Sequence, residues 1–329
     1  MVYYARKIGY FVLTLWAAVT LNFIIPRLQP GDPAEIMVRQ ITGKGEVDPA
    51  QVSAIRTMLG YGDDNVFVAY AKYLGQIVQG DFGISFTYFP YPVSDVIWKA
   101  LPWTLVLVGL TQLLSFLLGT LLGAIAAWRR NSRFDATISI GSTFVGNLQS
   151  VWIGLMILYI FAYQLGWFPA SGGYGYTDEE FTPIHIADVI AHGFLPALTL
   201  MITAPIGFIL SMRNTMVQVL GEDYIRLGAA AGLKQRTLAL GYAARNALLP
   251  VITSFALSLG VLMGGSILIE TVFDYPGMGR LMGEATANRD FPLMQTILLA
   301  TIVIVLTANF IVDLIYPLID PRARRAKAS

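Results

Sequence analysis

Six stretches of this chain carry runs of mostly apolar residues, at about 8–25, 104–128, 136–163, 194–210, 251–270 and 291–317. About 20 such residues are what a helix needs to cross the hydrocarbon core of a bilayer. Inside that core every backbone N–H and C=O must find its partner within the chain, which leaves helices or a closed barrel. Runs of this length select helices. The composition agrees, with 55% hydrophobic residues, 13% charged and a mean hydropathy of +0.61, where soluble domains carry about 25% charged residues. The expected fold class is therefore all-α integral membrane, with six transmembrane helices.

Taken in order, residues 1–28 hold the N-terminus and the first span. Arg6 and Lys7 precede the apolar run, as in a signal peptide, but no small-residue cleavage site follows. The run ends in PRLQPGDP, which points to an uncleaved first transmembrane helix whose prolines stop it and fix a turn. Residues 29–98 form a long polar region with two expected short helices, 49–59 and the amphipathic 66–78. Trp98 and Trp103 bracket the start of the second span as interfacial anchors do. Residues 99–318 carry spans two to six, with a polar loop at 213–250, and 319–329 is a basic tail.

Six spans put both termini on one side. Grouping the N-terminus, the loops after spans two and four and the tail gathers 14 of the 22 basic residues, against four acidic ones, Asp135, Glu222, Asp223 and Asp320. The other face carries eight basic and 16 acidic residues, counting Glu270, and the loop 164–190 has no Lys or Arg. The positive-inside rule then places both termini and the loop 213–250 in the cytoplasm, and 29–98 outside.

Catalytic patterns are lacking. There is no GxxxxGK[ST] phosphate loop, and the Gly-Lys-Gly around Lys44 has neither the spacing nor the following helix. Paired carboxylates, a nucleophile elbow and HExxH are absent, so the chain is expected not to be an enzyme. With no cysteine and two histidines, no metal site is expected either. Uphill transport would need energy from a partner or an ion gradient. An ion-coupled carrier favours ionisable residues in mid-span, yet the mid-span polar residues are uncharged: Asn22, Gln112, Asn147, Gln149 and Asn309. Such amides usually hydrogen-bond between helices. Asn147, Gln149 and Ser150 cluster and are the best candidates for lining a path; Glu270, near a span end, is either an outer gate or a structural partner.

The loop 213–250 is too polar to span the bilayer and can fold as short helices at the membrane surface. Ala229, Ala230, Ala231 and Gly232 offer a backbone with little side-chain bulk, Leu233 can fill a pocket, and Lys234 and Arg236 supply a polar rim. An interfacial helix joining two spans is the simpler reading, and a docking element the functional one.

The residues here resemble a family. GEDYIRLGAAAGLKQRTLALGYAARNALLP is similar to the cytoplasmic coupling motif of bacterial ABC importer permeases, in the oligopeptide, dipeptide and nickel branch. PGDP at 30–33 and ETVFDYPGMGRL at 270–281 resemble two further signatures of that branch, in the same order along the chain. Where the general permease motif begins Glu-Ala-Ala, Arg226, Leu227 and Gly228 stand here.

The resemblance implies a type I ABC importer permease-like fold with a cytoplasmic coupling helix and a long extracytoplasmic loop after helix 1. It implies a multi-pass protein of the bacterial inner membrane. Its partners would be a second homologous permease (a heterodimer), two cytoplasmic ATPases and an external substrate-binding protein, with no nucleic acid. This chain would bind no cofactor, ATP and Mg²⁺ being held by the ATPases. Docking would fall on Asp223, Tyr224, Arg226, Ala229, Ala230, Gly232, Leu233, Lys234 and Arg236. The expected cargo is oligopeptides or dipeptides, with oligosaccharides the alternative; two histidines and no cysteine argue against nickel. An ion-coupled secondary carrier and a non-transporting scaffold are the readings from other classes.

Overall fold

The computed structural model of the chain describes residues 2–27, 35, 38, 49–58, 65–175 and 183–319. The PGDP segment, Lys44 and the basic tail beyond residue 319 lie outside them. Among the described residues the regular elements are helical, apart from one bridge between Ile84 and Pro92. The chain belongs to two compact units, Met1–Trp103 with Arg280–Leu306, and Thr104–Gly279 with Thr307–Ser329.

In the first unit, α1 (Val2–Arg27) is the first apolar helix, and α2 (Pro49–Met58) and α3 (Val66–Gln79) follow where helices were expected. Local chemistry sets the ends of α3. Asn65 caps its first turn by accepting from the Phe67 N–H, and Gly80, at φ +72°, closes its last by donating to the carbonyls of Gln76 and Ile77. Polar contacts join α1 to α3: Thr20 meets the Tyr70 hydroxyl at 2.7 Å, and the Asn22 amide donates to Tyr73 at 3.2 Å. Asn22 also exchanges bonds with Gln295 at 2.9 and 2.7 Å. This is the helix-bridging role expected of a mid-span amide. Gln295 lies on α12 (Phe291–Ile319), the last apolar helix, which follows the short helix α11 (Met278–Ala287). Its N-terminus is capped by the buried Asp290, whose carboxylate also takes the Ser85 hydroxyl at 2.5 Å and the Thr87 N–H at 2.9 Å. The loop 81–92 is thereby fastened to the start of α12. Tyr88 in this loop donates to Glu284, which in turn accepts from Arg280 at 2.9 Å. Burial first, then Glu284, raises the Tyr88 phenol above its ordinary pKa.

The second unit takes most of α4 (Val93–Trp128), α5 (Arg133–Gly146), α6 (Ser150–Ile157), α7 (Pro183–Thr203), α8 (Pro205–Leu220), α9 (Asp223–Ala230) and α10 (Arg245–Val272). Among the described residues four helical stretches are long and apolar enough to cross a membrane: Arg6–Ile24, Val93–Trp128, Ile186–Leu220 and Phe291–Val312. A fifth candidate is the pair α5 and α6, whose axes meet at 96°.

That bend departs from the single third span expected over 136–163. The cause is local. The Asn147 side chain donates to the Thr143 carbonyl at 2.6 Å, and the N–H groups of Asn147 and Leu148 bond to carbonyls three residues back. Short polar side chains compete with the helix ladder in this way. Gln149 then takes an extended backbone, φ −68° and ψ 133°, and α6 starts afresh at Ser150. Beyond it, Leu158–Gln164 is wound as a π-helix.

Helices α4 and α8 approach backbone to backbone. A Cβ on Gly119 would lie 2.6 Å from the Phe208 Cβ, and one on Gly123 would lie 2.5 Å from the Ile209 carbonyl oxygen. Small residues four apart permit such contact between membrane helices. Below this contact a buried cluster gathers Ala127, Phe208, Met212, Met216, Ile225, Ala239, Ala243, Ala247 and Val251.

Candidate functional site

Helix α10 links two regions of differing chemistry, and the candidate site residues fall at both its ends. At its N-terminal end lies the segment 221–244. The helix α8 continues to Leu220, so Arg213 belongs to a helix rather than to the expected loop. Gly221 and Glu222 turn the chain and α9 runs over DYIRLGAA, too short to span. One face of α9 is anchored by Ile225, 6% exposed, within the buried cluster. Gly228 lies close to the core as well, since a Cβ there would meet Leu238 at 2.8 Å.

The rest of α9 faces outward. Leu227 is 70% exposed, and Asp223, Tyr224, Arg226, Ala229 and Ala230 are exposed with it. Asp223 and Arg226 form a solvated pair at 3.7 Å, and Tyr224 accepts from the Asn246 amide at 3.1 Å. Gly232 has φ +85°, a left-handed conformation that a glycine adopts without cost, and it reverses the chain into exposed Leu233, Lys234 and Arg236. Thr237–Ala244 is π-wound and passes without interruption into α10, which begins at Arg245. RNALLP is thus the return into the fifth apolar stretch. The nine residues of the expected docking set form one exposed stretch around a single buried anchor.

At the far end of α10, Glu270 is fully buried. Its carboxylate accepts from the Thr104 hydroxyl at 3.1 and 3.2 Å and from the Gly279 N–H at 2.7 Å. The Thr104 oxygen in turn accepts from the Met278 N–H at 2.8 Å. Gly277 and Gly279 are required here by space: a Cβ on either would come within 3 Å of the Glu270 carboxylate. The intervening turn is held by Tyr275 N–H to the Glu270 carbonyl, 2.8 Å, and by Gly172 N–H to the Phe273 carbonyl, 3.2 Å. Burial first, then the neighbouring Glu270 carboxylate, pushes the Tyr275 phenol up to about 12, so it stays neutral. Glu270 organises the DYPGMG turn.

The remaining candidates lie apart from both ends, at the α5–α6 bend. Asn147 and Gln149 are exposed and Ser150 is half-buried. Gln112, another mid-span amide, is buried and donates to Ser258. Among the described residues no group of three or more His, Cys, Asp or Glu is placed to hold a metal ion.

Three features escaped sequence reasoning. Thr104 joins Glu270 to the glycine turn, and nothing in its surroundings in sequence marks it. Gly119 and Gly123 bring α4 and α8 together, and the spacing GTLLG was a readable signal. Asp135 meets Arg213 in a two-pronged ion pair, with Nε to Oδ1 at 2.8 Å and Nη2 to Oδ2 at 2.9 Å. Its only signal was that each charge stands at the edge of an apolar stretch.

Comparison with known proteins gives the family. Residues 119–325 match the family described as binding-protein-dependent transport system inner membrane component. An oligopeptide transport system permease protein of Bacillus subtilis is 35% identical over 324 residues, 97% of this chain and 98% of the relative. A di/tripeptide transport system permease protein of Pseudomonas aeruginosa is 34% identical, and a dipeptide transport system permease protein of Escherichia coli 32%, each over 98% of both chains. With its several apolar helices this is a multi-pass membrane protein, and it belongs to the family of binding-protein-dependent transport system inner membrane components.

Proposed function

We propose that this chain is the permease subunit of an ATP-binding-cassette importer of oligopeptides or dipeptides. The peptide cargo rests on the relatives, which are named for oligopeptides, di/tripeptides and dipeptides. One observation carries the mechanism: α9 has a single buried anchor, Ile225, while Leu227, Arg226 and the turn to Arg236 stand exposed. Leu227 exposed at the tip suits a docking knob for a soluble partner.

In this reading α10 counts as a further span, giving six in all with the bent pair α5–α6 taken as one. The termini and α9 face the cytoplasm. Two ATPases dock on α9, hold ATP and Mg²⁺, and drive transport; this chain holds no nucleotide and catalyses no reaction. A second, similar permease completes the path, and an external binding protein delivers the peptide. Closure of the ATPases moves α9 as a lever, and the spans rotate between outward- and inward-facing states.

The path is assigned to the α5–α6 bend. Irregular backbone at membrane depth is tolerated only against protein or beside a water-filled cavity. Asn147, Gln149 and Ser150 then face the lumen or the second permease. Glu270 supports the outer turn beside it.

The test is Leu227→Arg. The variant is expected to insert in the membrane at the normal level while the ATPase subunits no longer co-purify with it. Full recovery of the ATPases with the variant would remove α9 as the docking element.

A further inference from the structure

The pair Asp135–Arg213 joins α5 to α8, and its carboxylate is held by four hydrogen bonds. Asp135 is 4% exposed and stands in the first turn of α5. Besides the two bonds from Arg213, its oxygens accept from the Asn131 N–H at 3.1 Å and the Ser139 hydroxyl at 3.3 Å. The Asn131 residue itself has φ +64°, so the turn between α4 and α5 is wound around this carboxylate. Arg213 extends from α8 at the place where Gly123 of α4 packs closely: a Cβ on Gly123 would lie 2.9 Å from the Met212 Cβ and 3.1 Å from the Arg213 nitrogen.

The position of the pair joins two parts of the molecule. On one side, α8 shares its buried cluster, through Met212 and Met216, with Ile225 of α9. On the other, Asp135 is 12 residues from Asn147, on the same helix that ends at the bend. A displacement of α9 is carried into α8 by apolar packing, which is stiff. From α8 it can reach the first turn of α5 through the planar guanidinium–carboxylate fork, which fixes angle as well as distance.

We propose that Asp135 and Arg213 are a positioning pair that transmits the motion of α9 to the α5–α6 bend. This rests on the permease reading and adds to it a route from the docking helix to the path. The pair touches neither ATP nor cargo.

The experiment uses the complete transporter, reconstituted with its partner subunits. Because the chain has no cysteine, a spin label is attached through Leu148→Cys, an exposed position at the bend. The label's spectrum is recorded without nucleotide and after trapping with ATP and vanadate. Three forms are compared: the parent, Asp135→Asn, and the double variant Asp135→Asn with Arg213→Gln. The single variant leaves a charge unpaired and so can harm the fold for that reason alone. The double variant removes both charges, and the amide at position 135 can offer its oxygen to the Asn131 N–H and its NH2 to the Ser139 hydroxyl oxygen.

The expected result is a trapping-dependent spectral change in the parent that is lost in the double variant, although that variant assembles and hydrolyses ATP as the parent does. Coupling changes of this kind correspond to roughly 2- to 30-fold in the affected equilibrium. The proposal is overturned if the double variant keeps the full spectral change, if it fails to assemble, or if an active parent complex shows no change at 148. A parent that neither retains ATPases nor hydrolyses ATP refutes the permease reading instead.

Discussion

The two ends of α10 each carry a turn that depends on glycine, and they are opposite in design. At the 270–279 end, Glu270, Thr104 and the backbone of Met278 and Gly279 satisfy one another in a closed knot with no room for a Cβ on Gly277. At the 221–236 end, the backbone turns at Gly232 into open space, and the side chains of α9 beyond Ile225 find few partners within the chain. A region that completes its own contacts serves the fold, and a region left incomplete serves a partner. Substitutions at the closed end should therefore act on stability, and those at the open end on assembly.

The largest stability effect is expected from Gly277→Ala. Its Cβ would fall 2.2 Å from a Glu270 oxygen and 2.5 Å from the Thr104 hydroxyl. Overpacking of this severity costs about 3 kcal/mol, read as a marked drop in Tm of the detergent-solubilised chain and in its yield from the membrane. An unchanged Tm would mean that the knot is looser than the distances indicate.

Next is Glu270→Ala, which strands the Gly279 N–H and the Thr104 hydroxyl in a buried place. Leaving such groups unpaired costs about 2 kcal/mol. Glu270→Gln keeps an acceptor for both and should lose less. If instead Glu270→Ala retains the parent Tm while altering uptake alone, the gate reading of Glu270 displaces the structural one.

Gly232→Ala tests the open end with the same chemical change as the first variant. No atom lies within 4 Å of the added Cβ, and the cost is only that of the left-handed backbone, about 1 kcal/mol. A Tm drop as large as that of Gly277→Ala would erase the contrast. Smallest in stability is Asp223→Ala, on a fully solvated side chain, where no Tm change is expected but ATPase recovery should fall.

Much of the fold was legible in the sequence because bilayer thickness imposes run length, and the amphipathic stretch 66–78 could hardly be read otherwise. The short exposed segment around 223–236 was legible too, since small residues beside solvated charges in an otherwise apolar chain stand out. The bend at 147–149 was not. It depends on Asn147 turning back on the Thr143 carbonyl, an outcome that hydropathy cannot register because the flanking residues are equally apolar on both sides. Glu270 was recognised as important, but its partners lie 166 residues away at Thr104 and across a turn whose shape is set by close packing. The Asp135–Arg213 pair spans 78 residues and joins two stretches that look like ordinary span edges. Long-range pairing of single polar residues leaves no local pattern to find.

The contrast between the ends is tested most directly by single-cysteine crosslinking in the assembled transporter, which the cysteine-free chain permits. Leu227→Cys on α9 and Tyr174→Cys, an exposed residue in the loop that reaches Phe273 through Gly172, are each treated with a short thiol-to-amine crosslinker. Leu227→Cys should yield a covalent adduct with an ATPase subunit, and Tyr174→Cys should yield none. An ATPase adduct from Tyr174→Cys, with none from Leu227→Cys, would contradict the account.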